Sequence, residues 1–155
     1  MELKREYPAL LPDRFQEIGL WQLDKFFLEP FGNNEHRRQL INRLQVFMSE
    51  VQALGVGTEV WIDGSFTTEK PEPDDVDMVF LMNREDIDNL PEAKAAFFQS
   101  LFMQRDEVRS RYHLDVYFID KDDRDEVEKW TENFGKDARK LNSKGIFKIQ
   151  IKPGV

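Results

Sequence analysis

The stretch VWIDGSF at residues 60–66 is followed, after a polar loop, by DVDMV at residues 75–79 and later by LDV at residues 114–116. In all three, acidic residues stand among β-branched and other apolar residues, a composition that predicts strands. The first strand runs into Gly64-Ser65, a turn whose amides and hydroxyl can donate hydrogen bonds to an anion. The three stretches therefore predict a small sheet that carries one turn and three carboxylates.

The pair Asp75 and Asp77 differs from the chain's other Asp-x-Asp pairs in the residues that come after it. Asp and Glu account for 30 of the 155 residues, and the same spacing recurs at residues 86–88, 120–122 and 123–125. Only the first pair leads into an apolar run of strand character. Residues i and i+2 of a strand share a face, so Asp75 and Asp77 are predicted to stand side by side. The other pairs are predicted to be solvated turns.

Asp115 lies inside a third predicted strand, residues 114–119, and shares a face with His113 and Tyr117. Carboxylates are almost never fully buried unless they are paired or bound to metal. Asp115 therefore requires either a cation or an exposed end of the sheet. If its strand lies beside residues 76–82, three carboxylates converge, and a divalent cation is the usual relief of their repulsion.

Composition limits the classes of protein to which this chain can belong. A length of 155 residues is that of one domain, and no apolar run approaches the ~18 residues that span a membrane. The chain has no Cys and no leader pattern at its start, so a cytoplasmic location is expected. The net charge of −8 argues against general nucleic-acid binding. A membrane partner is not expected either.

Apolar periodicity predicts an α/β (α+β) chain in one domain, residues 1–155. The first thirty residues are expected to form an irregular arm with a short helix near residues 21–28. Longer helices are predicted from Asn33/Asn34 to Gly55, from Pro91 onward, and over residues 123–134. Strands are predicted at residues 58–63, 76–82, 114–119 and 146–151.

Several prominent residues have two interpretations. Trp61 is predicted to be a core residue or, less readily, a wall on which a base stacks. Trp130 and Phe134 are four residues apart on a helix and are predicted to pack inward. The cations of residues 36–38 oppose the dipole of the helix that they open, which fits either a surface ion pair or a nearby anionic partner.

The arrangement of Gly64-Ser65, Asp75-x-Asp77 and Asp115 resembles the DNA polymerase β-type nucleotidyltransferase superfamily. With NEHRR at residues 34–38, KPEP at 70–73, Phe134-Gly135 and KGI at 144–146, the chain looks more narrowly like a family of short prokaryotic nucleotidyltransferase-like proteins of unassigned function. The resemblance implies a minimal nucleotidyltransferase fold, a small mixed sheet flanked by helices.

The resemblance also implies a role for each residue of the site. Gly64 and Ser65 would cradle the β- and γ-phosphates of a nucleoside triphosphate. Asp75 and Asp77 would hold two Mg²⁺ (or Mn²⁺) ions. Asp115 would complete one metal site and orient or deprotonate the acceptor hydroxyl.

Two cations, Lys70 and Lys144, are candidates for contact with the nucleotide. Many relatives have Arg or Gly soon after the Ser, whereas here the nearest cation is Lys70. Residues 136–152 carry six cations against one acidic residue. This segment is either a solvated basic surface or a source of cations, Lys144 foremost, that face the triphosphate or an acidic partner.

Two functions from different classes are consistent with these residues. The first is a metal-dependent enzyme that moves a nucleoside monophosphate from a triphosphate to a hydroxyl, which lies on a partner protein in one version. The second is a catalytically silent nucleotidyltransferase-like binding or antitoxin module. Three clustered carboxylates favour the enzyme, because a binding module has no need of them.

Overall fold

A mixed sheet carries all four strands that the sequence predicts. The structure, a computed structural model, describes residues 7–135 and 144–153. The strands of the described chain are β1 (Phe15–Glu17), β2 (Thr58–Asp63), β3 (Val76–Met82), β4 (Leu114–Asp120) and β5 (Ile146–Ile151). The boundaries of β2, β3 and β5 are those predicted, and β4 is one residue longer.

Helices flank the sheet. They are α1 (Leu23–Phe27), α2 (Glu35–Gln52), α3 (Arg84–Asp88), α4 (Glu92–Phe102), α5 (Arg105–Tyr112) and α6 (Arg124–Phe134), with short 3-10 turns at Leu20–Gln22, Glu29–Phe31 and Ser65–Thr67. The predicted α+β class, a small mixed sheet flanked by helices, is therefore confirmed. Within residues 7–135 and 144–153, no helix is long and apolar enough to cross a membrane.

The strand order is β1-β5-β2-β3-β4. β5, β2 and β3 run antiparallel in turn, whereas β3 and β4 are parallel. The end of β2 therefore lies beside the beginnings of β3 and β4. Side chains from β2, β3 and β4 meet at this end of the sheet.

The long helix α2 is built as its sequence predicts. The Asn34 side chain accepts a hydrogen bond from the backbone of Arg37, which caps the first turn. Leu40, Leu44 and Phe47 are among the residues of one face that are buried. Soon after the helix, Gly55 adopts a φ of +75°, a conformation that glycine enters without steric cost.

The two faces of the sheet pack against different layers. Val60, Met78, Phe80 and Val116 belong to the larger core together with α2 and α4. Trp61, Val79 and Ile119 belong to a smaller core against Phe134 of α6. Trp61 is thus a core residue, as predicted, and Phe134 packs inward with Trp130 against it. By alternation, Asp77 and Asp115 lie on the face of the smaller core.

Three elements do not follow from the sequence patterns. β1 falls in the region predicted to be an irregular arm, and it pairs in parallel with β5. Asp86 and Asp88, predicted to lie in a solvated turn, are exposed but helical in α3, which Asn83 caps. The third element, α5, lies directly before β4 and carries two arginines of the site.

Candidate functional site

Four carboxylates meet where β2 ends and β3 and β4 begin. In the sheet register Asp63 is the partner of Asp77, and Asp77 is the partner of Asp115. Asp75 directly precedes β3. We call Asp63, Asp75, Asp77 and Asp115 the acidic cluster. Three of the four were predicted, and their convergence depends on the parallel pairing of β3 with β4.

Asp77 lies at the centre of this cluster. Its pKa is raised from 3.8 to about 7, first of all by burial and then by the charges of Asp75, Asp115 and Asp63, while Lys144 acts in the opposite direction. Among the described residues, no ion pair involves Asp77. Its ionised form is therefore disfavoured, and a cation bound there would relieve the repulsion.

Asp77→Asn should stabilise the metal-free protein in a pH-dependent way. The pKa of Asp77 is raised in the folded state, so below its unfolded pKa of 3.8 the carboxyl group is protonated in both states and does not lower the free energy of unfolding. The destabilisation grows as the pH rises and is complete above about pH 7. At pH 8 the free energy of unfolding should rise by about 2 to 4 kcal/mol, with less than half of that gain at pH 5. Chemical denaturation in EDTA measures both.

Asp74→Asn is the matched control, since Asp74 is an exposed carboxylate on the loop that leads into β3. Its substitution should change the free energy of unfolding by no more than about 0.5 kcal/mol at either pH. A clear loss of stability in Asp77→Asn at pH 8 would contradict the assignment and would instead indicate a structural hydrogen bond or cap.

The turn after β2 approaches the acidic cluster closely. Gly64 has a φ of +82°, and a Cβ at this position would lie 2.4 Å from Asp77 Oδ2. Glycine is therefore required for both conformation and space. Ser65 begins the following 3-10 turn, and the Thr67 hydroxyl donates to Asp63 Oδ1 over 3.3 Å. Gly64 therefore adjoins the carboxylates, and the role of Gly64 and Ser65 in binding phosphate stays a prediction.

Lys144 reaches the same place from 80 residues away. Its ammonium group donates to the Gly64 carbonyl over 2.8 Å and lies 2.7 Å from Asp63 Oδ1, with both side chains buried. The pKa of Asp63 is raised to about 6, because the effect of burial exceeds the opposing effect of Lys144. Lys144 is thus in the site, where it contacts the backbone of the turn and a carboxylate. Residues 136–143 of the basic segment lie outside the described residues.

Two arginines on α5 bind the outer carboxylates. Arg105 Nη2 lies 2.7 Å from Asp115 Oδ1, and Arg109 Nη2 lies 2.8 Å from Asp75 Oδ2. The pKa of each arginine is raised, first of all by the hydrogen bond to its aspartate. Neither arginine was predicted from the sequence to lie in the site. A usable signal was present, since Val108 and Tyr112 are four residues apart with acidic residues before them, as in a short amphipathic helix.

A third arginine, Arg37, holds the loop between the Gly-Ser turn and Asp75. It is fully buried, and its guanidinium group donates to four backbone carbonyls: those of Phe27, Phe66, Thr68 and Lys70. The guanidinium carbon lies 3.6 Å from the ring centre of Phe31, and burial lowers the pKa of Arg37 to about 10.

The two sequence interpretations of residues 36–38 therefore apply unequally. The side chain of Arg37 is buried, so it forms no surface ion pair with a described residue and is not exposed to an anionic partner. Its charge is satisfied by carbonyl dipoles in the interior, because the loop folds back over the start of α2. Arg38 does form an exposed ion pair with Glu35, at 3.6 Å. The His36 ring is hydrogen-bonded to the Pro73 carbonyl.

Two other predicted residues lie at the edge of the arrangement. Lys70 lines a cleft of about 520 Å³ at the start of α2, together with Phe31 and His36, and no residue of the acidic cluster lines that cleft. His113 is exposed at the end of α5 and adopts a left-handed conformation, with a φ of 57°. It directly precedes β4 and is therefore outside the strand.

The acidic cluster offers only oxygen donors, the kind that Mg²⁺ and Mn²⁺ prefer. The repulsion of Asp77 by the three neighbouring carboxylates also fits a cation site. In the arrangement present, no three His, Cys, Asp or Glu side chains of the described residues are disposed to hold a metal ion. Arg105 and Arg109 already bind two of the carboxylates, so a metal ion would have to displace them.

Comparisons with known proteins identify the family of this chain. Neither the curated proteins nor the solved structures provide a match. A family model does match, and the matched residues include the acidic cluster and nearly all of the described sheet. Over residues 8–150 the chain matches DUF6932, a family of unknown function, and it therefore belongs to that family.

Proposed function

We propose that this protein is a metal-dependent nucleotidyltransferase with the fold of the DNA polymerase β-type superfamily. It would transfer a nucleoside monophosphate from a nucleoside triphosphate to a hydroxyl acceptor. The acceptor oxygen forms a bond to the α-phosphorus, and the bond from that phosphorus to the oxygen bridging to the β-phosphate breaks. Pyrophosphate leaves, and the hydroxyl proton passes to Asp115.

The observation that carries this proposal is the sheet register. Asp77 and Asp115 occupy paired positions on the adjacent parallel strands β3 and β4. Asp75 is the residue directly before β3, and the Gly64-Ser65 turn follows β2, the strand that pairs with β3 on its other side. Clustered carboxylates within a sheet are costly, as the raised pKa of Asp77 indicates. Such a cost is expected where a site binds a cation.

Each residue then has a distinct role. Asp75, Asp77 and Asp115 would hold the divalent cation, Mg²⁺ or Mn²⁺, which supplies neutralisation of the triphosphate charge when it is bound. Ser65 and the backbone of the turn would bind phosphate oxygens, with Gly64 allowing close approach. Lys144 would keep the turn in place through the Gly64 carbonyl. Lys70 lies at the cleft and would act on a more distant part of the ligand.

Binding of nucleoside triphosphates should require both the metal and the carboxylates. Calorimetric titration of the wild type with ATP, GTP, CTP and UTP should give binding with Mg²⁺ or Mn²⁺ for at least one of the four. Asp75→Ala/Asp77→Ala should weaken that binding at least about a hundredfold, because the charge of the triphosphate is then left unneutralised.

The double substitution Asp86→Ala/Asp88→Ala provides a matched control, since it removes the same two charges from the exposed helix α3. It should bind as tightly as the wild type. Equal affinity in EDTA and in Mg²⁺, or equal affinity in Asp75→Ala/Asp77→Ala, would show that the acidic cluster is not a metal site.

One observation favours the second candidate function, a silent binding or antitoxin module. Arg105 and Arg109 neutralise Asp115 and Asp75 within the protein itself. An acidic cluster that is permanently closed in this way would act only by association with a partner. The two functions differ in whether labelled nucleotide is transferred to an acceptor. In either case we expect a cytoplasmic protein without general affinity for nucleic acid.

A further inference from the structure

We propose that Arg105 and Arg109 are the triphosphate-binding cations of this site, and that they exchange their aspartate partners for phosphate oxygens when a divalent cation binds the carboxylates. This inference rests on the proposed nucleotidyltransferase function and deepens it. The same two side chains would close the acidic cluster in the empty protein and bind the substrate in the loaded one.

The positions of the two arginines suit this exchange. They are four residues apart on α5, so they lie on one face of the helix, and each contacts an outer carboxylate of the cluster. Their side chains are 46% and 60% exposed. A guanidinium group has five N–H donors and binds phosphate in a bidentate manner, so exposed groups at this edge can accept an anion from solvent.

Tyr117 lowers the cost of the exchange at Asp115. Its hydroxyl donates to Asp115 Oδ2 over 3.2 Å, on the oxygen that Arg105 does not use. Its ring lies 3.9 Å from the guanidinium carbon of Arg105. Asp115 therefore keeps one hydrogen bond after Arg105 leaves, and Arg105 can turn toward a phosphate while it remains stacked on the ring.

The helix that carries the arginines is fixed. The Tyr112 hydroxyl at its end hydrogen-bonds Glu50 of α2 over 3.0 Å, and the Tyr112 ring packs on Phe47 with centroids 5.4 Å apart. The exchange therefore requires rotation of two long side chains and no movement of α5. Such rotations are fast compared with typical turnover.

The other cations near the cluster are engaged elsewhere. Lys144 is buried against Asp63 and the Gly64 carbonyl, and Arg37 is buried against backbone carbonyls. Lys70 lines the cleft at the start of α2, which none of the aspartates reaches. A triphosphate at the acidic cluster brings several negative charges, and within the described residues Arg105 and Arg109 are the cations placed to meet them.

The test compares two titrations on Arg105→Gln/Arg109→Gln. With Mn²⁺ alone, the variant should bind about threefold to tenfold more tightly than the wild type, because two competing cations have been removed from the carboxylates. With inorganic triphosphate in saturating Mn²⁺, it should bind at least about tenfold more weakly, because the phosphate ligands are lost. A purely structural role would weaken both.

Arg111→Gln is the matched control, since Arg111 lies on the same helix and its ring contact is with Tyr112. It should leave both affinities near those of the wild type. Arg105→Lys/Arg109→Lys keeps both charges without the planar groups and should bind triphosphate with intermediate affinity, which also covers the case in which the glutamine variant does not fold.

The outcomes separate this inference from the proposed function. A wild type that binds Mn²⁺ and triphosphate while the glutamine variant binds triphosphate equally well overturns the role of the arginines and leaves the function standing. Equal weakening in Arg111→Gln overturns it too, since the effect would then be one of general charge. A wild type that binds neither Mn²⁺ nor triphosphate overturns the proposed function, and the inference with it.

Discussion

Arg37→Met is expected to lower the free energy of unfolding by at least about 3 kcal/mol, since four backbone carbonyls lose their donor in the interior. The lost carbonyl partners include Phe66, Thr68 and Lys70, all on the loop that leads to Asp75. In a chain of this length the melting temperature should fall by roughly 6 to 12 °C. Thermal and chemical denaturation monitored by circular dichroism measure the change.

Arg37→Lys should recover only part of this loss, because a single ammonium group cannot reach four carbonyls in the plane that the guanidinium spans. Arg38→Met is the control: Arg38 is the adjacent, exposed arginine, and its substitution should cost no more than about 0.5 kcal/mol. Equal, small effects at the two positions would mean that Arg37 does not hold the loop.

Asp115→Asn should reduce nucleotide transfer at least about a hundredfold, because the amide cannot accept the proton of the acceptor hydroxyl. Affinity for the metal-bound triphosphate should fall much less, since Asp75 and Asp77 remain to hold the cation. The introduced side-chain amide also keeps an oxygen that can accept from Arg105, so the structure around it is preserved. Incubation with α-labelled triphosphates and cell lysate, or with the product of a neighbouring gene, reports the transferred label.

Asp120→Asn is the matched control for this experiment, because Asp120 lies at the far end of the same strand, where it accepts backbone hydrogen bonds near α3. It should transfer label as the wild type does. Equal transfer by wild type and Asp115→Asn would remove Asp115 from the mechanism. No transfer by the wild type with any of the four triphosphates would favour the binding or antitoxin module.

Local signals were strong enough to locate most elements of this fold in advance. β2, β3 and β5 begin and end where the sequence predicts. β3 is nearly continuous apolar sequence, as a strand buried on both faces requires, whereas β5 alternates buried Phe147 and Ile149 with half-buried Lys148 and exposed Gln150. The boundaries of α2 follow from the Asn34 cap and from Gly55. β1 and α5 were not predicted, because they are short and each is stabilised mainly by the element beside it.

The candidate site was foreseeable in part for the same reason. Asp75, Asp77 and Asp115 were visible as carboxylates directly before or within apolar strands, where they need a partner. Asp63 was not, since its position at the end of β2 gains meaning only from its register with Asp77. Arg105 and Arg109 were missed because the short helix α5 was not predicted, and because apolar periodicity does not show which cations of a helix reach a carboxylate of another element.

The sequence by itself determined which segments become strands, where the Gly64 turn falls, and that three aspartates face a common problem of burial. The tertiary structure alone decided how that problem is met. Parallel pairing of β3 with β4 aligns Asp77 with Asp115, and α5 places its arginines on the outer carboxylates. Lys144 joins Asp63 across 81 residues of chain, and Arg37 gathers four carbonyls from two segments. Electrostatic partners are selected by distance in space, which residue order does not encode.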